Sequence, residues 1–165
     1  EKVLQKLLIK EAIDISKLTA FLLKDNHSGV EKFDSKKVKE QMDRTKDFKG
    51  FTLKNQRSIL FSSEPDVSII DKDGSTIAVI EVKGGTDPAG ALERYGAAKK
   101  SFEEAMRQNP NVVTIFVASC ITSEVEERIK KDKTIKRYYN LTEILTSENK
   151  REEFLNHVFR TLLKF

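Results

Sequence analysis

Apolar residues near the start of the chain recur at helical spacing. Val3, Leu7, Ala12, Ile15, Leu18 and Leu22 predict one helix over residues 2–24. A polar, glycine-containing turn follows at 26–29. A charged helix is expected from Ser35 to about Lys46, with Asp34 or Ser35 as its cap and Gly50 ending the helical region. Residues 51–61 are ambiguous: Ile59-Leu60-Phe61 reads either as a short strand or as part of a substrate-facing loop.

The pattern sharpens further along. Residues 66–71 and 76–83 are rich in β-branched side chains, and Asp73-Gly74 between them signals a two-residue type I′ hairpin turn. A helix follows with Pro88 in its first turn, Thr86 or Asp87 as its cap and Asn109-Pro110 as its stop. The apolar run 112–118 suits the centre of a sheet. Thr122 or Ser123 opens another helix ending near Asp132, and residues 135–141 read as a last short strand. Phe154, Leu155, Val158, Phe159, Leu162 and Leu163 line a final amphipathic helix. Helices, hairpin, helix, strand, helix, strand, helix is the order of an α/β domain with a mixed β-sheet flanked by α-helices. No repeat, low-complexity tract or linker divides the 165 residues, so a single domain over 1–165 is expected. A start at Glu1 rather than methionine is compatible with the C-terminal part of a longer chain.

Composition narrows the classes. Hydrophobic residues make up 38% and charged residues 34%, which suits a modest core under a heavily charged surface. No apolar run approaches the roughly 18 residues of a membrane span, so no membrane partner is expected. The single cysteine, Cys120, excludes an internal disulfide; it follows the apolar run and reads as a buried structural thiol in a reducing cytoplasm. A net charge of +4 and a pI near 9.0 point weakly to nucleic acid. Lysine clusters at 36–39, 99–100 and 130–137 read, each alone, as solvated helix faces. His27 and His157 lack metal-ligand spacing, and neither a P-loop nor a dinucleotide fingerprint is present.

The hairpin carries the chemistry. A two-residue turn pairs Lys72 with Ser75, Asp71 with Thr76 and, at the far end, Asp66 with Glu81. Directly opposed residues place their Cβ atoms about 4.5–5.5 Å apart on one face. Alternation adds Lys83 to that face. Facing carboxylates repel unless a cation lies between them, and Mg²⁺ takes oxygen ligands. Asp66, Glu81 and the Val82 backbone carbonyl are therefore candidate metal ligands. Lys83 is the group to orient or deprotonate an attacking water, or to stabilise developing negative charge. The plain alternative is a surface salt-bridge cluster, disfavoured because it sets two acids face to face.

Pro65-Asp66, fourteen intervening residues, then Glu81-Val82-Lys83 resembles the signature of the PD-(D/E)XK nuclease superfamily, over roughly residues 59–118. The resemblance implies a restriction-endonuclease-like core, Asp66 and Glu81 as metal ligands, Lys83 as the catalytic lysine, and Mg²⁺ as cofactor with Mn²⁺ as a substitute. Members of that superfamily often add an acidic residue from an early helix. Glu11, Glu31 and Glu40 are candidates here, Glu11 first because its helix is best defined. The glycine-rich segment 84–90 and the helix after it, to Lys100, are similar to restriction endonucleases of the XcyI type. That similarity implies a homodimer cutting a short double-stranded DNA site in a prokaryotic cytoplasm. Gly84, Gly85, Arg94, Lys99 and Lys100 are candidate DNA contacts. A structure-specific or repair nuclease with the same chemistry, and a non-catalytic DNA-binding module, are the alternatives; intact Asp66, Glu81 and Lys83 disfavour the second.

Overall fold

The computed structural model describes residues 1–25 and 29–165. The predicted turn at 26–29 and His27 thus fall largely outside the described residues. Helix α1 (Lys2–Asp14) buries Leu4, Leu8, Ile9 and Ala12 and stops at Ser16, whose φ of 57° turns the chain. Strand β1 (Leu18–Leu23) follows, so the single helix expected over 2–24 is a helix and a strand. The misreading has a simple cause: Leu18 and Leu22 are four residues apart, which is about one helical turn and also two strand pleats.

Strand β2 (Val30–Lys32) and a short helix α2 (Val38–Asp43) come next, with a 3₁₀ turn at Thr45–Asp47. The helix expected from Ser35 to Lys46 is thereby cut to its centre. Asp34 accepts from the Lys36 amide ahead of it, at 2.9 Å, rather than capping it. Gly50 lies inside strand β3 (Phe48–Leu53), not at a helix end. A Cβ there would stand 2.3 Å from the Ile59 carbonyl oxygen, so only glycine lets the neighbouring strand approach this closely. That neighbour is β4 (Ser58–Phe61), so the ambiguous 51–61 segment is the end of β3, a turn over 54–57 and a second strand.

β5 (Val67–Ile70) and β6 (Thr76–Lys83) form the expected hairpin. Its turn is one residue longer than predicted. The Asp71 amide donates to the Ser75 carbonyl at 2.8 Å, enclosing Lys72, Asp73 and Gly74, with Gly74 at φ 86°. A three-residue loop alone would set Asp66 across from Ile80. Ile70 indeed pairs with Thr76, but Ile69 pairs with Ala78, so Ile77 is a bulge that shifts the register by one. Beyond it Val67 pairs with Ile80, and the predicted alignment of Asp66 with Glu81 is regained.

Helix α3 (Ala91–Gln108), β7 (Val113–Ala118), α4 (Ser123–Lys131) and β8 (Arg137–Asn140) follow the expected order. Pro88 precedes α3 instead of lying in its first turn. Thr122 caps α4, accepting from the Val125 amide at 3.3 Å. The final helical stretch divides into α5 (Leu141–Thr146) and α6 (Glu148–Asn156), the latter continuing as a π turn over His157–Leu162.

All eight strands make one sheet in the order β2-β1-β3-β4-β5-β6-β7-β8. Pairing is antiparallel through β6 and parallel for β6, β7 and β8, a mixed sheet as expected. One face packs Phe21, Phe51, Ile59, Ile69, Ile80 and Ile115 against α1, α5 and α6. Opposite, Val79, Phe116 and Ala118 pack against Tyr95, Ala98 and Phe102 of α3 and Val125 and Ile129 of α4. This second layer covers the parallel half. Thr52, Ser58, Leu60 and Ser68 of the antiparallel half stay half-buried on the same face. Among the described residues, no helix is long and apolar enough to cross a membrane.

Asp132 ties α3 to the end of α4. It accepts from Lys99 Nζ at 2.6 Å, Tyr95 Oη at 2.9 Å and both the amide and hydroxyl of Thr134. Burial pushes its carboxyl up, but the hydrogen bonds from Lys99, Thr134 and Tyr95 together outweigh it and hold the group well below the usual carboxylate range. Asp132→Ala should lower stability by about 1–3 kcal/mol in urea unfolding, by leaving these donors without their acceptor. The folded pKa is depressed, so this contribution is complete above about pH 4 and fades as pH falls through the folded value. The gap between wild type and variant should therefore close in strong acid.

Candidate active site

The carboxylates meet where the hairpin leaves its turn furthest behind. Asp66 precedes β5, just after the Ser62–Pro65 turn, whose Glu64-Pro65 peptide is cis; the Ser62 amide donates to the Asp66 carbonyl at 3.3 Å. Glu81 and Lys83 lie on β6, on the face that meets α3. Asp66 is 6% exposed and Glu81 2%. Such buried acids need partners. Asp66 Oδ2 accepts from the Val82 amide at 2.7 Å. Glu81 Oε2 accepts from Lys83 Nζ at 3.0 Å. Glu81 Oε1 accepts from Ser101 Oγ, on α3, at 2.5 Å.

Burial pushes the Glu81 carboxyl up, and Asp66 beside it adds to this. The hydrogen bonds from Ser101 and Lys83 and the charge of Lys83 pull the other way without reversing the direction. An acid raised chiefly by burial, with a second acid beside it, is a place where a cation would favour the charged form and relieve repulsion. The donors are hard oxygens, as Mg²⁺ and Mn²⁺ prefer. Among the described residues no cluster of three or more His, Cys, Asp or Glu could hold a metal, so the two carboxylates would need a backbone carbonyl and water to complete a shell.

The structure thus brings Asp66, Glu81, Val82 and Lys83 together. It does not bring Glu11 to them. Glu11 faces Asp14, Lys10, Arg160 and Glu152, and burial, then Asp14, pushes its carboxyl up. Glu31 is held by Arg44 at 3.0 Å, and Glu40 is exposed on α2. Gly84 and Gly85 directly follow Lys83. Arg94 Nη1 lies 2.5 Å from where a Gly85 Cβ would be and 3.1 Å from Asp87 Oδ1. Arg94 therefore braces the glycine-rich loop onto α3, and Asp87 accepts from the Gly90 amide at 2.8 Å as the turn into that helix closes. Lys99 is engaged by Asp132, whereas Lys100 is exposed. His157 is structural in its setting: Nδ1 lies 2.9 Å from Tyr139 Oη, and burial pushes its pKa down. Cys120 is half-buried.

Ser101 is the site residue that sequence reading missed. Its signal was present but faint: a hydroxyl three residues after Ala98, on the stripe that buries Ala91, Tyr95, Ala98 and Phe102. A cavity of about 580 Å³ opens beside it, between α3 and the hairpin, with Ser68, Val79 and Glu104 also in its lining.

The model of the XcyI restriction endonuclease family matches residues 35–163 of the chain. Comparison with proteins of curated function gives no match. Among solved structures, the chain is similar to a repair endonuclease from Pyrococcus abyssi, at 20% identity and a TM-score of 0.37. That similarity covers 52% of this chain and 38% of the other.

Proposed function

Because this chain belongs to the XcyI restriction endonuclease family, we propose that it hydrolyses DNA phosphodiester bonds as a magnesium-dependent type II restriction enzyme, with residues 1–165 as one nuclease domain. The observation that carries the reading is the buried pair Asp66 and Glu81, set on one face with Lys83 donating to Glu81 at 3.0 Å. Asp66, Glu81 and the Val82 carbonyl would hold the metal. When bound, Mg²⁺ (or Mn²⁺) supplies polarisation of the scissile phosphate and a water of lowered pKa.

The remaining work falls to the chain. The Val82 amide fixes Asp66, so that the aspartate is aimed before substrate arrives. Lys83, with a side chain 27% exposed, reaches from the buried carboxylates towards solvent. There it can orient the attacking water or neutralise charge building on the phosphate. Duplex DNA would lie over the antiparallel half of the same face, which α3 and α4 leave uncovered. The amides of Gly84 and Gly85 and the exposed Lys100 would meet its backbone. Cutting both strands of a short site calls for two such centres related by a two-fold axis, hence a homodimer.

The test is incubation of the purified protein with a mixture of plasmids in Mg²⁺, in Mn²⁺ and in EDTA. Cleavage that needs the divalent ion and yields discrete bands is the expected outcome. A smear would replace site-specific cutting with a structure-specific or repair activity. Intact plasmid in every ion would leave a DNA-binding module and sink the enzyme reading.

A further inference from the structure

We propose that Ser101 is a positioning residue: its hydroxyl fixes the Glu81 carboxylate in the orientation that receives the divalent cation shared with Asp66. The inference rests on the nuclease reading above and adds a residue to it.

A serine inside a helix ordinarily turns its hydroxyl back to the carbonyl four residues earlier or out to water. Ser101, 5% exposed, instead donates across to another element, reaching Glu81 Oε1 at 2.5 Å. Glu81 needs such a partner more than Asp66 does. Its side chain has one more rotatable bond, and its backbone is fixed in the middle of the sheet, between β5 and β7. Lys83 on Oε2 alone leaves the carboxylate free to swing about that contact. Ser101 on Oε1 supplies the second point and stops the swing. Each carboxylate oxygen has two lone-pair directions, so both still have one to offer a cation.

The chemical type of the donor matters. Two carboxylates and one lysine leave the cluster with a single negative charge. A second cationic side chain on Oε1 would cancel that charge and compete with the metal. A hydroxyl holds the oxygen without adding charge. The cavity of about 580 Å³ beside Ser101 sharpens the expectation for its removal. In Ser101→Ala, water can enter from that side and satisfy Oε1. The fold should therefore survive, while the fixed orientation is lost to a mobile partner.

The experiment is titration of the intact protein with Mn²⁺ by calorimetry, for wild type, Ser101→Ala and Ser101→Thr, beside the Mg²⁺ dependence of plasmid cleavage. Ser101→Ala is expected to weaken Mn²⁺ binding about tenfold or more, the usual effect of losing a group that holds a ligand. It should raise the Mg²⁺ concentration for half-maximal cleavage by a similar factor, with the metal-free melting temperature nearly unchanged. Ser101→Thr keeps the hydroxyl and should stay close to wild type in Mn²⁺ affinity. Wild-type affinity in the alanine variant would overturn the assignment while leaving the nuclease reading intact. If the alanine variant melts far below wild type, the threonine variant decides: retained affinity supports the role of the hydroxyl, and a tenfold loss overturns it. A wild-type protein that neither binds Mn²⁺ nor cuts DNA removes both.

Discussion

Replacing Lys83 by alanine is expected to slow plasmid cleavage by about a thousandfold at saturating Mg²⁺, the scale of losing a proton-transferring or charge-stabilising group. The ammonium stands 3.0 Å from Glu81 Oε2 and is the cationic side chain joined to the carboxylate pair. Two roles would follow from that contact, and pH separates them. Lys83 opposes the upward push that burial and Asp66 exert on the Glu81 carboxyl. Were that its whole contribution, the variant would hold its Glu81 proton more tightly, and raising the pH would restore the rate. A role at the water or the phosphate gives no such rescue. Single-turnover cleavage from pH 6 to 9 distinguishes them. A loss under tenfold, or full recovery at high pH, would take Lys83 out of the chemistry.

The second large effect is on stability. Gly50→Ala should cost about 3 kcal/mol, at the upper end for overpacking, because the added methyl meets backbone rather than a movable side chain. Its Cβ would stand 2.3 Å from the Ile59 carbonyl oxygen and 3.0 Å from Leu60 Cα. Neither atom can move unless β3 and β4 separate, in the middle of the sheet. For a protein of this size the loss corresponds to a fall in Tm of roughly 6–12 °C. Differential scanning calorimetry reads it directly, and a fall below about 2 °C would show that the two strands adjust.

Gly50 also shows where sequence reading reaches its limit. In the sequence it looks like a helix stop, because glycine signals chain ends as well as close approach. What it accommodates is the Ile59 carbonyl on the next strand, across a β3–β4 pairing that the ambiguous stretch after Gly50 does not announce. β1 was misread for a related reason, as its leucine spacing fits both periods. The hairpin, α3, β7 and α4 were legible because each carries its own local signal: Asp73-Gly74, Pro110, a run of apolar residues, the Thr122 cap. The shared face of Asp66, Glu81 and Lys83 was legible from the turn count and strand alternation, because the longer turn and the Ile77 bulge cancel. Ser101 was not, since its partner Glu81 lies on a different element and a serine on an apolar stripe looks merely small. The clear definition of its helix favours Glu11 in the sequence, yet α1 packs on the sheet face opposite the one that carries Glu81.

The bulge at Ile77 gives this hairpin a tolerance for the loss of one residue. Five paired rows, three loop residues and Ile77 account for the fourteen residues between Asp66 and Glu81. Removing Ile77 would leave a regular ladder with the same partners nearer the carboxylates. Shortening the loop by one residue while keeping the bulge would do the same. The distal end of the hairpin thus holds one residue of slack, at either of two places. Loss of one residue there need not turn Glu81 away from Asp66, and a lineage could reshape that end while inheriting the carboxylate pair unaltered.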